Sequence, residues 1–124
     1  MAGFSTFGAN KLLDAILNND TYVCATPYVS LHTADPGLTG TSEVTGGSYA
    51  RQLGSFSSAA ARASASDADI DFAGMPAATI THVGIWDAVT AGNFIWGGAL
   101  TASKAVGAGE TLHFPSGDVD LDIA

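Results

Sequence analysis

The amino-acid sequence predicts a mainly β protein, an antiparallel β-sandwich with one N-terminal α-helix. From residue 21 onward, short segments of alternating apolar and polar residues follow one another, and most end in glycine-rich turns. Such a series is typical of antiparallel sandwiches. The chain has 124 residues, enough for a single core. We therefore expect one domain, in which residues 1–20 form a helix or arm and residues 21–124 form the sandwich.

The N-terminal segment has a clear helical pattern. Ser5 or Thr6 can cap the helix, and the polar residues 18–20 can end it. Between these positions the apolar residues fall on one broad stripe, which consists of Phe7, Leu12, Leu13, Ile16 and Leu17. This stripe predicts a helix packed on a sheet. The alternative is an arm that docks on a neighbouring subunit, with Phe4 and Phe7 as anchors.

Two strands and a turn are predicted next. Residues 22–24 and 27–32 alternate with a period of two, so Val29 and Leu31 should lie on one face of the second strand. A turn follows at residues 34–37, because a proline there favours an extended aspartate before it and a glycine permits a positive φ.

The middle of the sequence predicts loops around two strands. Residues 38–48 are rich in Gly, Thr and Ser and should form a long polar loop. Residues 49–56 can form a strand. Residues 57–68 are low in complexity and lack large apolar side chains, so we expect an exposed loop. Residues 70–72 alternate again and predict a short strand with one solvated face.

Residues 79–87 and 94–100 predict the two strands of a β-hairpin, which residues 87–93 connect. The hairpin contains three large aromatic residues, Trp86, Phe94 and Trp96. Together with Tyr49 they could form a platform that binds sugars. Their hydrophobic mass instead favours the core or a subunit interface.

The C-terminal part predicts three further strands. Residues 104–106 and 111–114 should pair through a glycine-rich turn. The final strand, residues 118–123, places its apolar side chains inward and its aspartates outward. Alternate aspartates on a flat strand lie about 7 Å apart and point the same way, so they repel each other more readily than they bind a cation. We expect a solvated acidic face here and at residues 67–71.

The charge of the chain excludes several classes of partner. Four basic residues against twelve acidic ones give a net charge of −8, the wrong sign for binding phosphates of nucleic acids or an anionic membrane surface. No apolar run reaches the roughly 18 residues of a membrane span. The N-terminus lacks the basic start and unbroken apolar region of a secretory signal. We expect the protein to be made and assembled in the cytoplasm of the cell that produces it.

No catalytic, cofactor or metal site is predicted. His32, His82 and His113 lack the spacing of paired metal ligands, and no second cysteine accompanies Cys24, which we expect to be a small buried side chain. The serines lack the Gly-x-Ser-x-Gly pattern of a hydrolase. Asp35 and Glu43 could mimic a glycosidase pair, and Gly46-Gly47 lacks the lysine of a phosphate loop. We therefore expect a protein that is not an enzyme and has no cofactor.

Four phrases of the sequence resemble a known family. They are YVSLHTADPG from Tyr28, EVTGGSYARQ from Glu43, THVGIWDAVTAGNFIWGGAL from Thr81 and GETLHFPSGDVDLDI from Gly109. Together they resemble small proteins of tailed bacteriophages and prophages that are usually labelled tail fibre or minor structural proteins. The resemblance covers roughly residues 22–123. It implies a structural protein of the virion.

Two placements in the virion compete. The acidic charge and the lack of coiled-coil heptads or another shaft favour a capsid decoration protein on the particle exterior. The alternative is a tail fibre, minor tail protein or receptor-binding module that contacts a host glycan. The corresponding partners are the major capsid protein or tail proteins.

The composition also predicts subunit contacts. Hydrophobic residues make up 47% of the chain and charged residues 13%, so apolar surface should remain for a partner or for further copies, with a trimer as the first expectation. Residues 2–17 should contribute to this contact. The candidate interface residues are Phe4, Phe7, Leu12, Ile16, Trp86, Phe94 and Trp96.

Overall fold

A computed structural model describes residues 3–122 of the chain. Within these residues the protein is mainly β, with antiparallel strand pairs and one α-helix, as the sequence predicts. The helix α1 spans Thr6–Leu17. The strands are β1 (Gly3–Phe4), β2 (Tyr28–His32), β3 (Gln52–Leu53), β4 (Ala63–Ala65), β5 (Ile70–Phe72), β6 (Ala78–Trp86), β7 (Phe94–Val106), β8 (Leu112–Phe114) and β9 (Asp120–Asp122).

One larger sheet and two small ones share the core. The larger sheet has the strand order β1-β7-β6-β2-β3, and the small sheets pair β4 with β9 and β5 with β8. A single cluster of buried side chains joins Leu31 and Ile80 from the large sheet to Phe72 and Phe114 from a small one. Phe72 and Phe114 meet edge to face, with ring centroids 5.9 Å apart. Layers of sheet around one apolar core are the sandwich arrangement.

The predicted hairpin is confirmed, and its second strand is longer than expected. β6 and β7 pair from Trp86↔Phe94 to Ala78↔Val106 across two register shifts. The proposed pairing of residues 104–106 with residues 111–114 is therefore wrong. The end of β7 already pairs with β6, so β8 pairs with β5 in another sheet. Alternation along a strand reveals its faces but not its partner.

Other predicted strands are shorter than expected or absent. Residues 22–24 form no strand, and within residues 49–56 only β3 is a strand. Residues 57–68 are not a simple loop, because they contain β4, which pairs with β9. β4 consists of small residues whose ladder needs only backbone groups, so the hydrophobic pattern cannot reveal it. In the last strand Val119 is buried and the aspartates are exposed as predicted, while Ile123 lies outside the described residues.

The helix forms where the sequence predicts it but packs on a different face. Ser5 caps it, because its Oγ accepts a hydrogen bond of 2.9 Å from Gly8 N. Gly8 is the buried residue of the helix, and a Cβ at this position would overlap the Ile95 carbonyl oxygen of β7. The helix therefore meets the sheet through backbone contact. The prediction that the apolar stripe packs on the sheet is wrong for much of the stripe, since Leu13 and Leu17 are 53% and 70% exposed.

Candidate functional site

Arg51 joins two loops at one end of the large sheet. Its side chain is only 8% exposed, and its Nε and Nη2 donate to Glu43 Oε2 and Oε1 at 2.9 and 2.8 Å. Its Nη1 donates to the carbonyl oxygens of Ala88 and Ala91 at 3.0 and 2.8 Å, and the guanidinium lies 3.7 Å from the Trp86 ring centroid. Bidentate pairing and stacking are geometries that lysine could not reproduce. Arg51 thus fixes the β6–β7 connection against the loop that contains Glu43.

Tyr49 completes the environment of the Glu43 carboxylate. Its hydroxyl donates to Glu43 Oε2 at 2.8 Å and accepts from Leu31 N at 3.0 Å. Burial alone would raise the pKa of Glu43, but the hydrogen bonds from Arg51 and Tyr49 outweigh burial and hold this pKa below its ordinary value. Burial raises the pKa of Tyr49. At neutral pH Glu43 is therefore charged and Tyr49 is neutral, which suits a structural network and not a general acid.

His32 belongs to a second buried chain of hydrogen bonds. Its Nδ1 lies 2.8 Å from the Thr41 carbonyl oxygen, and its Nε2 lies 2.7 Å from Ser30 Oγ. Because a carbonyl oxygen only accepts, Nδ1 carries the proton and Nε2 accepts from the serine hydroxyl. Ser30 Oγ in turn accepts from Trp86 Nε1 at 3.0 Å. Burial lowers the pKa of His32, so this histidine is neutral and links β2 to the loop that follows it.

The remaining candidate metal ligands lie apart. His82 Nδ1 is 2.8 Å from Thr81 Oγ1, and His113 forms an exposed pair with Asp71. Asp120 is exposed on β9. Within residues 3–122, no group of three or more His, Cys, Asp or Glu side chains is arranged to hold a metal ion. Cys24 is partly buried.

The aromatic residues of the hairpin lie in the interior. Trp86, Phe94 and Trp96 are 9%, 5% and 3% exposed, so the sugar platform considered for them is wrong. The loop after β2 covers one face of the hairpin: a Cβ at Gly40 would lie 2.5 Å from the Trp86 ring. These three side chains have little surface to offer a neighbouring subunit. The loop was predicted to be long and polar, and its packing role could not be seen in its composition.

A different set of apolar residues lies near the N-terminus, and three of its members are exposed while three are partly buried. We define the N-terminal surface as Phe4, Phe7, Leu12, Leu13, Ile16 and Leu17. Leu13, Ile16 and Leu17 are 53%, 69% and 70% exposed, and their spacing places them on one side of α1. Apolar side chains grouped in this way on a soluble domain are typical of partner-binding surfaces.

Phe4 divides two apolar grooves beside this surface. One groove of about 170 Å³ lies between α1 and β7 and includes Leu12 and Ile95. The other, of about 210 Å³, includes Ala63 and Leu121 from the small sheet. Phe7 packs edge to face on Tyr22, with ring centroids 5.5 Å apart. The structure thus brings four of the predicted interface residues together on one surface, and their role in an interface remains a prediction.

Comparison with known proteins identifies the family. The family described as "Podophage GP4 fiber I protein gp80" matches residues 3–122. The chain belongs to this family. It is therefore a structural protein of the bacteriophage virion, associated with other virion structural proteins, and the resemblance seen in the sequence is confirmed. No curated protein matches the chain. Within the described residues, no helix is long and apolar enough to cross a bilayer.

The phrases that carry the resemblance build the buried networks of this fibre-family chain. The first phrase contains Ser30 and His32, and the second contains Glu43, Tyr49 and Arg51. The Glu43–Arg51 pair was not predicted from the sequence. A usable signal was present: the chain has only four basic residues, and one of them lies eight positions after a glutamate in a segment otherwise free of charge.

Proposed function

We propose that this protein is a fibre component of the phage tail and not the capsid decoration protein that its charge suggested. The observation that carries the proposal is the family match over residues 3–122, because the family is described as a podophage fibre protein. The lack of a shaft, which favoured decoration, is compatible with a fibre built from several proteins. In such a fibre this chain supplies a compact module and another protein supplies the length.

The N-terminal surface is the attachment site in this proposal. Burial of its leucine and isoleucine side chains, which are 53–70% exposed, would contribute roughly 1–2 kcal/mol each. The partner is another tail protein. Assembly of the chain into a trimer is a separate expectation, which sedimentation of the purified protein would test.

We also propose that the protein has no enzymatic activity. The polar groups that could serve catalysis are held in structural roles: Glu43 is bound by Arg51, and His32 is buried between Ser30 and Thr41. Burial raises the pKa of Cys24, which opposes formation of the reactive thiolate.

Separation of heads and tails tests the placement. We expect quantitative mass spectrometry of purified phage to find the protein in the tail fraction, and antibody labelling to place it on the tail in electron micrographs. Recovery of the protein with DNA-filled heads, at a copy number near that of the capsid lattice, would contradict the fibre proposal.

Capsid decoration is the second candidate. The observations in its favour are the compact fold of the described residues and the net charge of −8, which suits the outer face of a particle better than its genome-facing side. The same fractionation decides between the two placements.

A further inference from the structure

A cleft lies between the two loops that Arg51 joins. Its walls are residues 43–46 and 49–51 on one side and residues 89–91 on the other, and its volume is about 350 Å³. Small-molecule sites commonly have volumes of about 300–1,000 Å³. The cleft therefore has room for a ligand the size of a single sugar ring. The hairpin aromatics do not line it, because Trp86 lies beneath Arg51 and is buried, whereas Tyr49 does.

The walls of the cleft are held in place without a ligand. Arg51 donates to the Glu43 carboxylate on one wall and to the Ala88 and Ala91 carbonyl oxygens beside the other. Tyr49 holds the same carboxylate from a third direction. A site that is already rigid loses little conformational entropy when a ligand binds. This arrangement allows a small, weakly interacting ligand to be recognised.

Arg51 and Glu43 retain hydrogen-bonding capacity next to each other. Arg51 Nη2 has two hydrogens and uses one for Glu43 Oε1, which itself can accept a second bond. These two atoms are 2.8 Å apart, and the Glu43 side chain is 20% exposed. Nη2 is therefore a donor that lies beside an acceptor, Oε1. This pair of atoms matches two neighbouring hydroxyl groups of a ligand, one of which accepts from Nη2 while the other donates to Oε1.

The charge of the cleft favours a neutral ligand. Glu43 and Arg51 cancel, and the other residues of the walls are uncharged. An anion would also be repelled by a chain of net charge −8. Thr45 and Thr90 add hydroxyl groups, while Val89, which is 48% exposed, offers apolar contact to the C–H face of a ring.

We propose that this cleft binds one neutral pyranose unit through a pair of vicinal hydroxyl groups. The chemistry follows from the cleft alone; its biological setting, a glycan of the host cell surface, rests on the proposed fibre function. Sugar binding and tail location are measured separately, so the failure of one leaves the other standing.

Titration of the full-length, isotope-labelled protein with simple sugars tests this proposal. The probes are glucose, galactose, mannose and N-acetylglucosamine, with glucuronate as an anionic comparison, followed by two-dimensional amide NMR. We expect at least one neutral sugar to shift the amide signals of residues 43–51 and 88–91, with glucuronate weaker. No shift with any neutral sugar, or shifts confined to another surface, would overturn the proposal.

A substitution that fills the cleft provides the matched test. Thr90→Trp places a large side chain in the exposed wall, at a residue that accepts none of the Arg51 hydrogen bonds, and we expect at least ~10-fold weaker binding. Thr111→Trp is the control, because Thr111 is exposed and lies outside the cleft, and it should bind as the unmodified protein does. Equal affinities in the two variants would contradict the assignment.

A second variant tests the vicinal contact. Glu43→Gln keeps the shape of the side chain but removes the charge, and amide spectra establish whether it remains folded. A folded variant should lose affinity for the sugar, whereas unchanged affinity would count against the diol contact. If Glu43→Gln unfolds the protein, the single-deoxy derivatives of the sugar that binds supply the same test on the unmodified chain, since loss of either hydroxyl of the bound pair should weaken binding and unchanged affinity for all of them would contradict the diol contact. Oligosaccharides released from host lipopolysaccharide and, separately, from host capsule distinguish the two sources of such a ligand.

Discussion

Arg51 shows how one side chain can hold several parts of this small domain together. It pairs with the carboxylate of Glu43, donates to two carbonyl oxygens of the β6–β7 connection and stacks on Trp86. An ion pair that is largely shielded from water contributes less than its Coulomb energy suggests, because both charges are partly desolvated. Removal of one partner is costly for the same reason, since the other charge remains without compensation.

We therefore predict that Arg51→Met strongly destabilises the protein. The loss of the buried partner of Glu43 should cost about 3–5 kcal/mol of unfolding free energy, measured by urea denaturation. Arg62→Met is the control, because Arg62 is exposed, and it should change the unfolding free energy by less than about 0.5 kcal/mol. Similar losses in both variants would show that the Arg51 network does not stabilise the fold.

His32 predicts a dependence of stability on pH. Burial is the main cause that lowers its pKa below the ordinary value of 6.5; Arg51 and His82 act in the same direction, while Thr41 and Glu43 oppose them. In the window below about pH 6.5 the unfolded chain therefore binds more protons at this residue than the folded chain does. Stability from neutral His32 is fully present above that pH and is lost as the pH falls towards the lower pKa of the folded state.

Urea denaturation between pH 7.5 and pH 5 measures this effect, and the unfolding free energy should fall towards the acid side. His113→Gln should steepen the fall, because the pKa of His113 is raised by its bond to Asp71 and its contribution has the opposite sign. His82→Gln should weaken the fall only in part, since the pKa of His82 is also lowered. A stability that is flat over this range in the His113→Gln variant would contradict a neutral, buried His32.

At the scale of the element, the β6–β7 hairpin is the centre of the fold. It pairs with β1 and β2 on its two sides, and it carries Trp86 and Trp96 in positions that are both buried. The two tryptophans differ in their polar contacts, because only Trp86 stacks on Arg51 and only Trp86 has a hydrogen-bond partner. Trp86 Nε1 donates to Ser30, whereas Trp96 Nε1 is buried and has no hydrogen-bond partner among the described residues.

This difference predicts unequal effects of matched substitutions. Trp86→Ala and Trp96→Ala should each cost about 3–5 kcal/mol, because both leave cavities. Substitution by phenylalanine removes the same side-chain volume at both sites. Only Trp86→Phe also removes a hydrogen bond and weakens the contact with Arg51. We expect Trp86→Phe to be the more destabilising by roughly 1–2 kcal/mol in urea denaturation. Equal costs would mean that the Ser30 and Arg51 contacts contribute little.

The helix α1 is stabilised by few contacts with the sheet. Its attachment depends on Ser5, which bonds to the backbone of β7, and on the close approach at Gly8. Most of its apolar stripe is left outside the core. An element that exposes leucine and isoleucine in this way stabilises the isolated domain little and has surface free for another molecule.

At the scale of the whole molecule, polar substitutions on the N-terminal surface should weaken assembly without unfolding the domain. In the Ile16→Gln, Leu17→Gln double variant, the changed side chains are 69% and 70% exposed, so the melting temperature should change little. Each substitution should weaken the binding free energy by roughly 1 kcal/mol, so incorporation into phage tails should fall by at least about tenfold. The measurement is the amount of protein in tails from a complemented deletion phage.

Leu53→Gln is the control for this experiment, since Leu53 is 58% exposed and lies on β3 at the opposite edge of the large sheet. It should leave incorporation unchanged. Because apolar burial drives the contact, moderate salt should weaken it little. Normal incorporation of the double variant would show that attachment uses another surface. Deletion of residues 2–17 is a poorer test, because it also removes β1, which pairs with β7.

The sequence by itself determined the fold class, the helix bounds, the β6–β7 hairpin and the phage family. These features depend on local patterns: capping at Ser5, alternation along β2 and β6, and turns such as the one at Gly37. Local patterns involve residues that are close together in the sequence, so periodicity and turn residues reveal them.

Only the tertiary structure decided which strands pair, which face of the helix is buried and where Arg51 lies. β7 continues to pair with β6 past the predicted end, and a loop rich in glycine covers Trp86. These outcomes depend on contacts between residues far apart in the chain. Several segments have similar local patterns, and each could pair or pack with more than one of the others. The exposed N-terminal surface and the cleft beside Arg51 result from these long-range contacts. The sequence pattern shows which side chains are apolar or charged, but it does not show which of them the fold leaves exposed.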